Sequence, residues 1–479
     1  MSTDKKMIKF LFNSEWLETS VSPASVLLDF IRNEKRLTGT KEGCREGDCG
    51  ACAVLIGELR SGKVKYKVVN SCLVPMRDLH GKHLVTVESL NQDELTPIQL
   101  TVAEEGGTQC GFCTPGFVVS MTGYFLNNKK LDLQEAMDSL GGNICRCTGY
   151  AGIERAVKKS IEIFDQSGEA KDHLTKLIDA KFVPSFFKSV PKLLAGIDAP
   201  KAKQKVSEIF IGGGTDLYVQ KWEELSAADH KILSGSNIPD DINLSGNKIR
   251  IGGGATIQQL IDSAVIKKYF PLIQNDLQLF GSLPIRNRAT VAGNIVNASP
   301  IGDLTNILLV LDAGLILKYG KTNRQISLRK FFLDYKLTDR KKNELIEWIL
   351  LPVPQKEFYF NFEKISKRKY LDIASVNSSI ALITKKNKII KAGVSAGGVS
   401  PVPLFLKKTS AFLKDRLIAT ETVREAAKIA LSEISPISDA RGSDRYKRLL
   451  LRQLIYAHFL ILFPSQIDET ALIRGAREL

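Results

Sequence analysis

From Ile8 to Leu17 apolar and polar side chains alternate about Asn13-Ser14, and strict alternation around such a pair predicts a β-hairpin at the start of the chain. The period then changes. Between Ser25 and Arg32, Val26, Leu27, Phe30 and Ile31 fall on one helical face, ahead of a glycine-rich loop from Gly43 to Cys52. Strands are expected to return at Ala53 to Ile56, Lys65 to Val69 and Leu84 to Val87, giving a small sheet over one helix. From Thr96 to Ile163 the spacing is helical, opened by Pro97 and interrupted by glycines, which predicts a small helical bundle. The polar stretch Asp165 to His173 carries no apolar period and reads as a linker.

Beyond it come three apolar or β-branched runs, Phe182 to Val190, Glu208 to Leu217 and Lys248 to Ile257. The last two each deliver a glycine triplet, Gly212 to Gly214 and Gly252 to Gly254. They suit an α+β domain that ends near Pro354. A final segment from Phe358 opens with strands and closes with helical patterns over Thr420 to Ile434 and Ser443 to Phe463.

With 479 residues the chain has room for roughly three or four domains, each able to fill its own core. Lys plus Arg exceeds Asp plus Glu by 67 − 52 = 15. The basic residues are scattered in short groups, Lys201 to Lys205 and Lys385 to Lys391, with no arginine-rich arm, so they read as solvated surface and predict no nucleic-acid partner. The stretch Met1 to Lys9 lacks the apolar core of a signal peptide, and the apolar run Ile307 to Leu317 is broken by Asp312 and too short to span a bilayer. The expectation is a cytoplasmic protein with no membrane partner.

All eight cysteines precede residue 150 and divide into two fours: Cys44, Cys49, Cys52 and Cys72, then Cys110, Cys113, Cys145 and Cys147. C-x4-C-x2-C with a distant fourth thiol is the plant-type spacing for a [2Fe-2S] cluster. The second four pairs C-x2-C with a downstream C-x-C. A structural zinc site also takes four cysteines, but its usual C-x2-4-C repeat fits the first set less well. Two one-electron centres in series would conduct electrons.

Gly212 to Gly214, followed by Thr215 and Asp216, departs from G-x-G-x-x-G, so no Rossmann assignment follows. Consecutive glycines can still form a nest of N–H donors for a diphosphate, though such a triplet is also an ordinary turn. Thr290, Asn294, Asn297, Ser299 and Asp303 spread short polar groups along Thr290 to Asp303, which suits a ribityl chain or diphosphate as well as a plain polar loop.

The segments Lys41 to Cys52, Gln109 to Gly116, Asn143 to Tyr150, Gly213 to Asp216, Thr290 to Asp303, Lys364 to Arg368, Asp372 to Val376 and Pro436 to Arg441 resemble, in order, the molybdenum hydroxylases of the xanthine oxidase family. Within them the chain is most similar to the iron-sulfur/FAD (small) subunit of the bacterial xanthine dehydrogenase type. The resemblance implies an α+β multidomain chain: a β-grasp plant-type [2Fe-2S] domain over 1–89, a helical [2Fe-2S] domain over 90–164, a linker at 165–176, a two-part FAD-binding domain over 177–354 and a C-terminal α/β flavoprotein domain over 355–479. It implies that both cysteine sets hold clusters. It places Ile211, Gly212, Gly213, Gly214, Thr215, Asp216, Thr290, Asn294, Asn297, Asp303 and Lys364 around FAD, with Phe280 against its ring. Gln109 would meet molybdopterin in a partner, and Tyr335 would lie near the nicotinamide of NAD+.

Ala151-Gly152, Ala292 and Lys369-Tyr370-Leu371 depart from the residues usual in that family. No catalytic side chain is expected on this chain. The implied activity is passage of electrons from a molybdopterin-binding large subunit, through the two clusters to FAD and on to NAD+, during hypoxanthine or xanthine oxidation. A heterodimer or a dimer of heterodimers is the implied assembly. The alternatives are the matching subunit of an aldehyde or carbon monoxide hydroxylase, a stand-alone NADH-linked carrier and, remotely, a zinc-stapled scaffold.

Overall fold

The computed structural model describes residues 7–197, 210–227, 231–232 and 238–474, which fall into two compact units, Met1–Ser236 with Gly281–Ala289 and Asn237–Phe280 with Thr290–Leu479. Within the expected segments, Met1 to Lys6 and Lys201 to Ile209 lie outside the described residues.

The first unit opens with the expected hairpin, β1 (Ile8–Phe12) and β2 (Glu15–Thr19), followed by β3 (Ala53–Arg60), β4 (Lys63–Asn70) and β5 (His83–Val85). They form one sheet in the order β2-β1-β5-β3-β4, with β1 parallel to β5 and the other pairs antiparallel. Alternate residues of β3 go to opposite faces. Val54 and Ile56 pack with Phe10, Leu27, Phe30 and Ile31, so the predicted helical face at Leu27–Asp29 and Phe30–Glu34 covers one side. Ala53 and Leu55 pack with Val102, Phe117 and Phe125 of the helical segment on the other. A strand covered on both faces reads as an unbroken apolar run, which is what Ala53 to Ile56 is.

The helical segment comprises Pro97–Glu104, Thr114–Asn127, Leu133–Ser139 and Ala151–Gln166. Thr96 starts the first through a capping box with Gln99. In the last, Ile153, Ala156, Val157, Ser160 and Phe164 make the buried stripe.

The expected linker is a correction. The helix Ala151–Gln166 runs through Asp165, and a further helix, His173–Asp179, buries Leu177 in the same core as Phe125 and Phe164. Only 167–172 separates the two helices. Phe182 stacks on Phe125 at 4.8 Å, and Val190 and Leu194 pack on Leu11. Residues 177–194 thus pack within the first unit, and the run Phe182 to Val190 contains a 3-10 turn, Ser185–Lys188. Polarity alone suggested a linker at 165–176; the flanking apolar residues decide its length.

The run toward Leu217 gives a two-residue strand, β6 (Phe210–Ile211), parallel to β7 (Lys231–Ile232), then the glycine triplet and the helix Leu217–Ala227.

The second unit contains β8 (Ile242–Ser245), β9 (Lys248–Gly252), β10 (Gly314–Tyr319), β11 (Thr322–Ser327), a small hairpin β12 (Phe332–Asp334) and β13 (Leu337–Thr338), and β14 (Leu345–Pro352). β11-β10-β14-β9-β8 form an antiparallel sheet. A second antiparallel sheet joins β15 (Phe358–Ile365), β16 (Val376–Lys385), β17 (Lys388–Gly397) and β18 (Leu404–Phe405). Its core is closed by the predicted helices, found at Thr420–Ser432 and Asp444–Leu462.

Candidate redox centres

The loop between Gly43 and Cys52 brings the first four thiols together in two pairs. Cys52 Sγ lies 3.4 Å from Cys72 Sγ, and the Cys44 and Cys49 thiols are hydrogen-bonded to each other. The N–H groups of Glu46 and Cys49 point at Cys44 Sγ from 3.3 and 3.4 Å. Asn70 Nδ2 donates to the Gly47 carbonyl at 2.7 Å, fixing the turn of that loop.

The second four repeat this arrangement. Cys110 and Cys147 Sγ are 3.7 Å apart, and Cys113 is hydrogen-bonded to Cys145. Thr148 Oγ1 and N–H both donate to Cys145 Sγ, from 3.1 and 3.4 Å. Among the described residues no three His, Cys, Asp or Glu side chains converge on one ion. Thiols paired two and two match a dinuclear core, in which each iron takes two cysteines, better than a single tetrahedral metal.

In three of the pairs one thiol is held low and its neighbour high. Hydrogen bonding to Cys49 and N–H donation lower Cys44 to about 5, while the bond to Cys44, reinforced by burial, raises Cys49. Cys72 lowers Cys52 and is itself raised by the same contact. Burial pushes Cys145 up, but donation from Thr148 outweighs it; burial raises Cys113 to about 12. In the fourth pair the bond to Cys110 raises Cys147. Two thiolates in contact repel, so one thiol of each of those three pairs keeps its proton, which a metal would displace.

The two loops touch. Ile144 N–H donates to the Cys49 carbonyl at 3.0 Å, and buried Asn143 donates to the Gly50 carbonyl at 3.2 Å while accepting from Ser120 Oγ at 2.9 Å. Gly50 has φ +68, and a Cβ there would run into the carbonyl of Gly142, so no other residue lets the loops approach this closely. Cys110 and Cys147 are exposed, as are Gln109, Phe112 and Tyr150 beside them.

Still within the first unit, Cys52 and Cys72 share one apolar cluster with Leu73, Ile211, Tyr218 and Leu225. Ile211 and Tyr218 bracket the glycine triplet. A Cβ on Gly213 would strike the Arg288 carbonyl oxygen, and Gly214 has φ +77. Among the described residues, nothing accepts from the backbone N–H of Gly213, Gly214, Thr215 or Asp216, which leaves a row of donors suited to a diphosphate. The Asp216 carboxylate accepts from Gln220 Nε2 at 2.8 Å and tethers the helix that follows. Arg45, next to Cys44, pairs with Asp29 and Glu42 and lies over the Trp222 ring of that helix, 4.8 Å from its centroid.

In the second unit Thr290 Oγ1 caps the helix Val291–Asn297 through Gly293 N–H at 3.1 Å. Asn294 Oδ1 is buried and has no partner among the described residues, an acceptor left over for a bound group. Lys336 Nζ grips the carbonyl and side-chain oxygens of Asn297 at 2.7 and 2.9 Å and ties the β12–β13 hairpin to that helix; its neighbour Tyr335 is 63% exposed. Asp303 is held by protein partners at both oxygens. Its Oδ2 takes Lys364 Nζ at 2.7 Å and its Oδ1 takes Asn377 Nδ2 at 2.6 Å. Lys364 also donates to the Leu279 carbonyl at 2.9 Å, next to half-buried Phe280. Asp303 and Lys364 therefore position this region from within. Asn143, Arg288 and Trp222 escaped the sequence analysis because nothing in their spacing marks the contacts they make.

Residues 11–77 match the 2Fe-2S iron-sulfur cluster binding domain, 86–158 the [2Fe-2S] binding domain, 189–354 the FAD binding domain in molybdopterin dehydrogenase, and 362–462 the CO dehydrogenase flavoprotein C-terminal domain. Two [2Fe-2S] domains and an FAD-binding domain followed by this C-terminal domain mark a small or medium subunit of the molybdenum hydroxylase family. The chain is similar to a xanthine dehydrogenase of Blastobotrys adeninivorans, 28% identical over 91% of this chain and 39% of that protein. It is equally similar to aldehyde oxidase 1 of Macaca fascicularis, 28% identical over 98% of this chain and 41% of that one. It spans about two fifths of the length of these relatives. The fold also resembles the Cu,Mo-CO dehydrogenase in its cyanide-inactivated form, with TM-score 0.50 and 23% identity over 52% of this chain and 87% of that one. The carbon monoxide dehydrogenase from Hydrogenophaga pseudoflava which lacks the Mo-pyranopterin moiety aligns with TM-score 0.50 and 22% identity, over 53% and 89%. Among the described residues no helix is long and apolar enough to cross a membrane.

Proposed function

We propose that this chain is the electron-transfer subunit of a molybdenum hydroxylase of the xanthine dehydrogenase type, which takes electrons from a molybdopterin-binding large subunit and delivers them to NAD+. Bound [2Fe-2S] clusters supply one-electron carriage, and FAD exchanges it for two-electron chemistry. The observation that carries the reading is the serial contact inside the first unit. One thiol quartet meets the other through Ile144 and Cys49, and its Cys52 and Cys72 share an apolar cluster with Ile211 and Tyr218, which flank the glycine triplet.

In this reading Cys110, Cys113, Cys145 and Cys147 hold the entry cluster, exposed toward the partner, with Gln109 beside it for the pterin. Cys44, Cys49, Cys52 and Cys72 hold the cluster nearer flavin, where Leu73 and Leu225 exclude water. Ile211 to Asp216 serve the FAD diphosphate, and the resemblance further assigns Phe280, Thr290, Asn294, Asn297, Asp303 and Lys364 to FAD. Tyr335 serves the nicotinamide. The equal identity to an aldehyde oxidase keeps an aldehyde-type hydroxylase as the second reading.

Native co-purification under anaerobic conditions, followed by iron, flavin and subunit analysis, tests the assignment. Two [2Fe-2S] clusters, one FAD and a molybdenum-bearing partner chain are expected. Iron-free material would sink it, and dithionite-reduced protein that fails to reduce NAD+ would sink the choice of acceptor.

A further inference from the structure

The N–H groups of Gly213 and Gly214, which have no acceptor among the described residues, face no cationic side chain that the sequence made evident. One stands behind them. Arg288, in the segment Gly281–Ala289 of the first unit, donates from Nε and Nη2 to the Gly213 carbonyl oxygen at 3.1 and 2.8 Å. Its Nη2 also pairs with Asp78 Oδ2 at 2.7 Å, and the two side chains are 10% and 2% exposed. Asp78 follows Cys72 by six residues, in the turn Met76–Leu79.

Across a trans peptide the carbonyl and the next N–H point in opposite directions. The Gly213 carbonyl and the Gly214 N–H belong to one such unit. A guanidinium on the carbonyl oxygen draws electron density from that unit and makes the Gly214 N–H a stronger donor on the opposite side, and burial strengthens this polarisation. Gly213 must be glycine for the same reason, because a Cβ would fill the space that the Arg288 backbone occupies.

The rest of the segment is anchored to match. Asn287 Nδ2 donates to the Val68 carbonyl at 2.9 Å. A Cβ on Gly47 would meet Ile285 Cδ1, and one on Gly142 would meet Ser282 and Pro284. The helix Leu283–Arg286 thus lies against both cysteine loops while Arg288 reaches the glycine triplet.

We infer that Arg288 is a positioning residue that lends its charge through the Gly213–Gly214 peptide to a diphosphate bound on the far side. This rests on the proposal that FAD is the ligand of that loop. The diphosphate would then meet a backbone donor carrying part of a buried cation's field, with no salt bridge exposed to competing anions.

The test compares Arg288→Gln with Arg288→Lys in the full protein, with FAD affinity read by flavin fluorescence and both cluster EPR signals recorded as internal controls. Gln can still donate to Gly213 but has no charge; Lys keeps the charge. FAD affinity should fall about tenfold or more in Arg288→Gln and stay within about threefold of the parent in Arg288→Lys, with both EPR signals unchanged. Equal affinity in all three proteins, or equal loss in both variants, would overturn the inference. Asp78→Asn, whose amide oxygen can still accept from Arg288, provides a check if Arg288→Gln loses its clusters. Removal of the counter-charge should leave FAD binding equal or tighter, and a tenfold weakening would overturn it. If the parent protein with intact clusters binds no FAD, the assignment of the loop fails instead, and the two failures are distinct.

Discussion

The backbone N–H of Ile144 donates to the carbonyl oxygen of Cys49 at 3.0 Å, and Ile144 is bonded directly to Cys145. One hydrogen bond therefore links a cysteine of the first quartet to the residue beside a cysteine of the second. Asn143 holds that contact by spanning Gly50 and Ser120 in a buried site. Asn143→Ala should lower stability by about 1–3 kcal/mol, because the Ser120 hydroxyl loses its acceptor and the Gly50 carbonyl a donor. It should also weaken the magnetic interaction between the clusters in EPR of the fully reduced protein. Unchanged melting and an unchanged interaction would count against a bridging role for these loops.

Cys52 is buried and paired with Cys72, so serine there replaces a soft ligand without opening space. Cys52→Ser should abolish or shift one of two [2Fe-2S] EPR signals, slow flavin reduction and leave the other signal untouched. Cys145→Ser should alter the complementary signal. Two unaltered signals in either variant would refute the ligand sets.

Asp276 gives the protein a pH dependence of stability. Burial, with repulsion from Glu363, pushes its carboxyl up to about 7, and its Oδ2 is buried without a partner among the described residues. In the unfolded chain it titrates near about 3.9. Between those values the native state binds a proton that the unfolded state does not, so stability is greatest below about pH 4 for this group and is lost as pH rises toward 7. The ceiling on that loss is about 4 kcal/mol. Asp276→Asn should raise stability at pH 8 by about 1–3 kcal/mol and change it little at pH 4. Denaturant melts at both pH values check this, and an unchanged difference between them would refute it.

Local periodicity was enough for the ferredoxin-like part. Leu27, Phe30 and Ile31 do form a buried helical face, while Val26 is the extended residue before the helix and packs elsewhere, and Thr96 with Pro97 does begin a helix. Cysteine spacing set apart the two fours within which the structure pairs the thiols, because three cysteines on one tight loop are constrained in their spacing along the chain. What escaped was tertiary. Residues 167–172 look no different from the polar residues beside them, yet Leu177 and Phe182 pull the chain back into the helical core straight afterwards. Asp303 looked like a free acceptor since a sequence does not show that Lys364 and Asn377, over sixty positions away, occupy both of its oxygens.

That pairing yields a quantitative expectation. Lys364 and Asp303 side chains are 2% and 10% exposed, so each depends on the other for charge compensation. Asp303→Ala leaves the ammonium buried with only the Leu279 carbonyl as a partner, and should cost about 3–5 kcal/mol. Lys364→Met leaves a buried carboxylate held by Asn377 alone and should cost a similar amount. Removing both charges in Asp303→Asn with Lys364→Met should recover stability to within about 2 kcal/mol of the parent, since a neutral pair carries no uncompensated ion. Urea midpoints at constant slope measure all three. Flavin content then separates two roles: if the double variant is stable and retains FAD, the pair only shapes the fold, whereas stability without FAD makes the charges part of the flavin site. A single Asp303→Ala that costs less than about 1 kcal/mol would show that the ion pair is not buried as described.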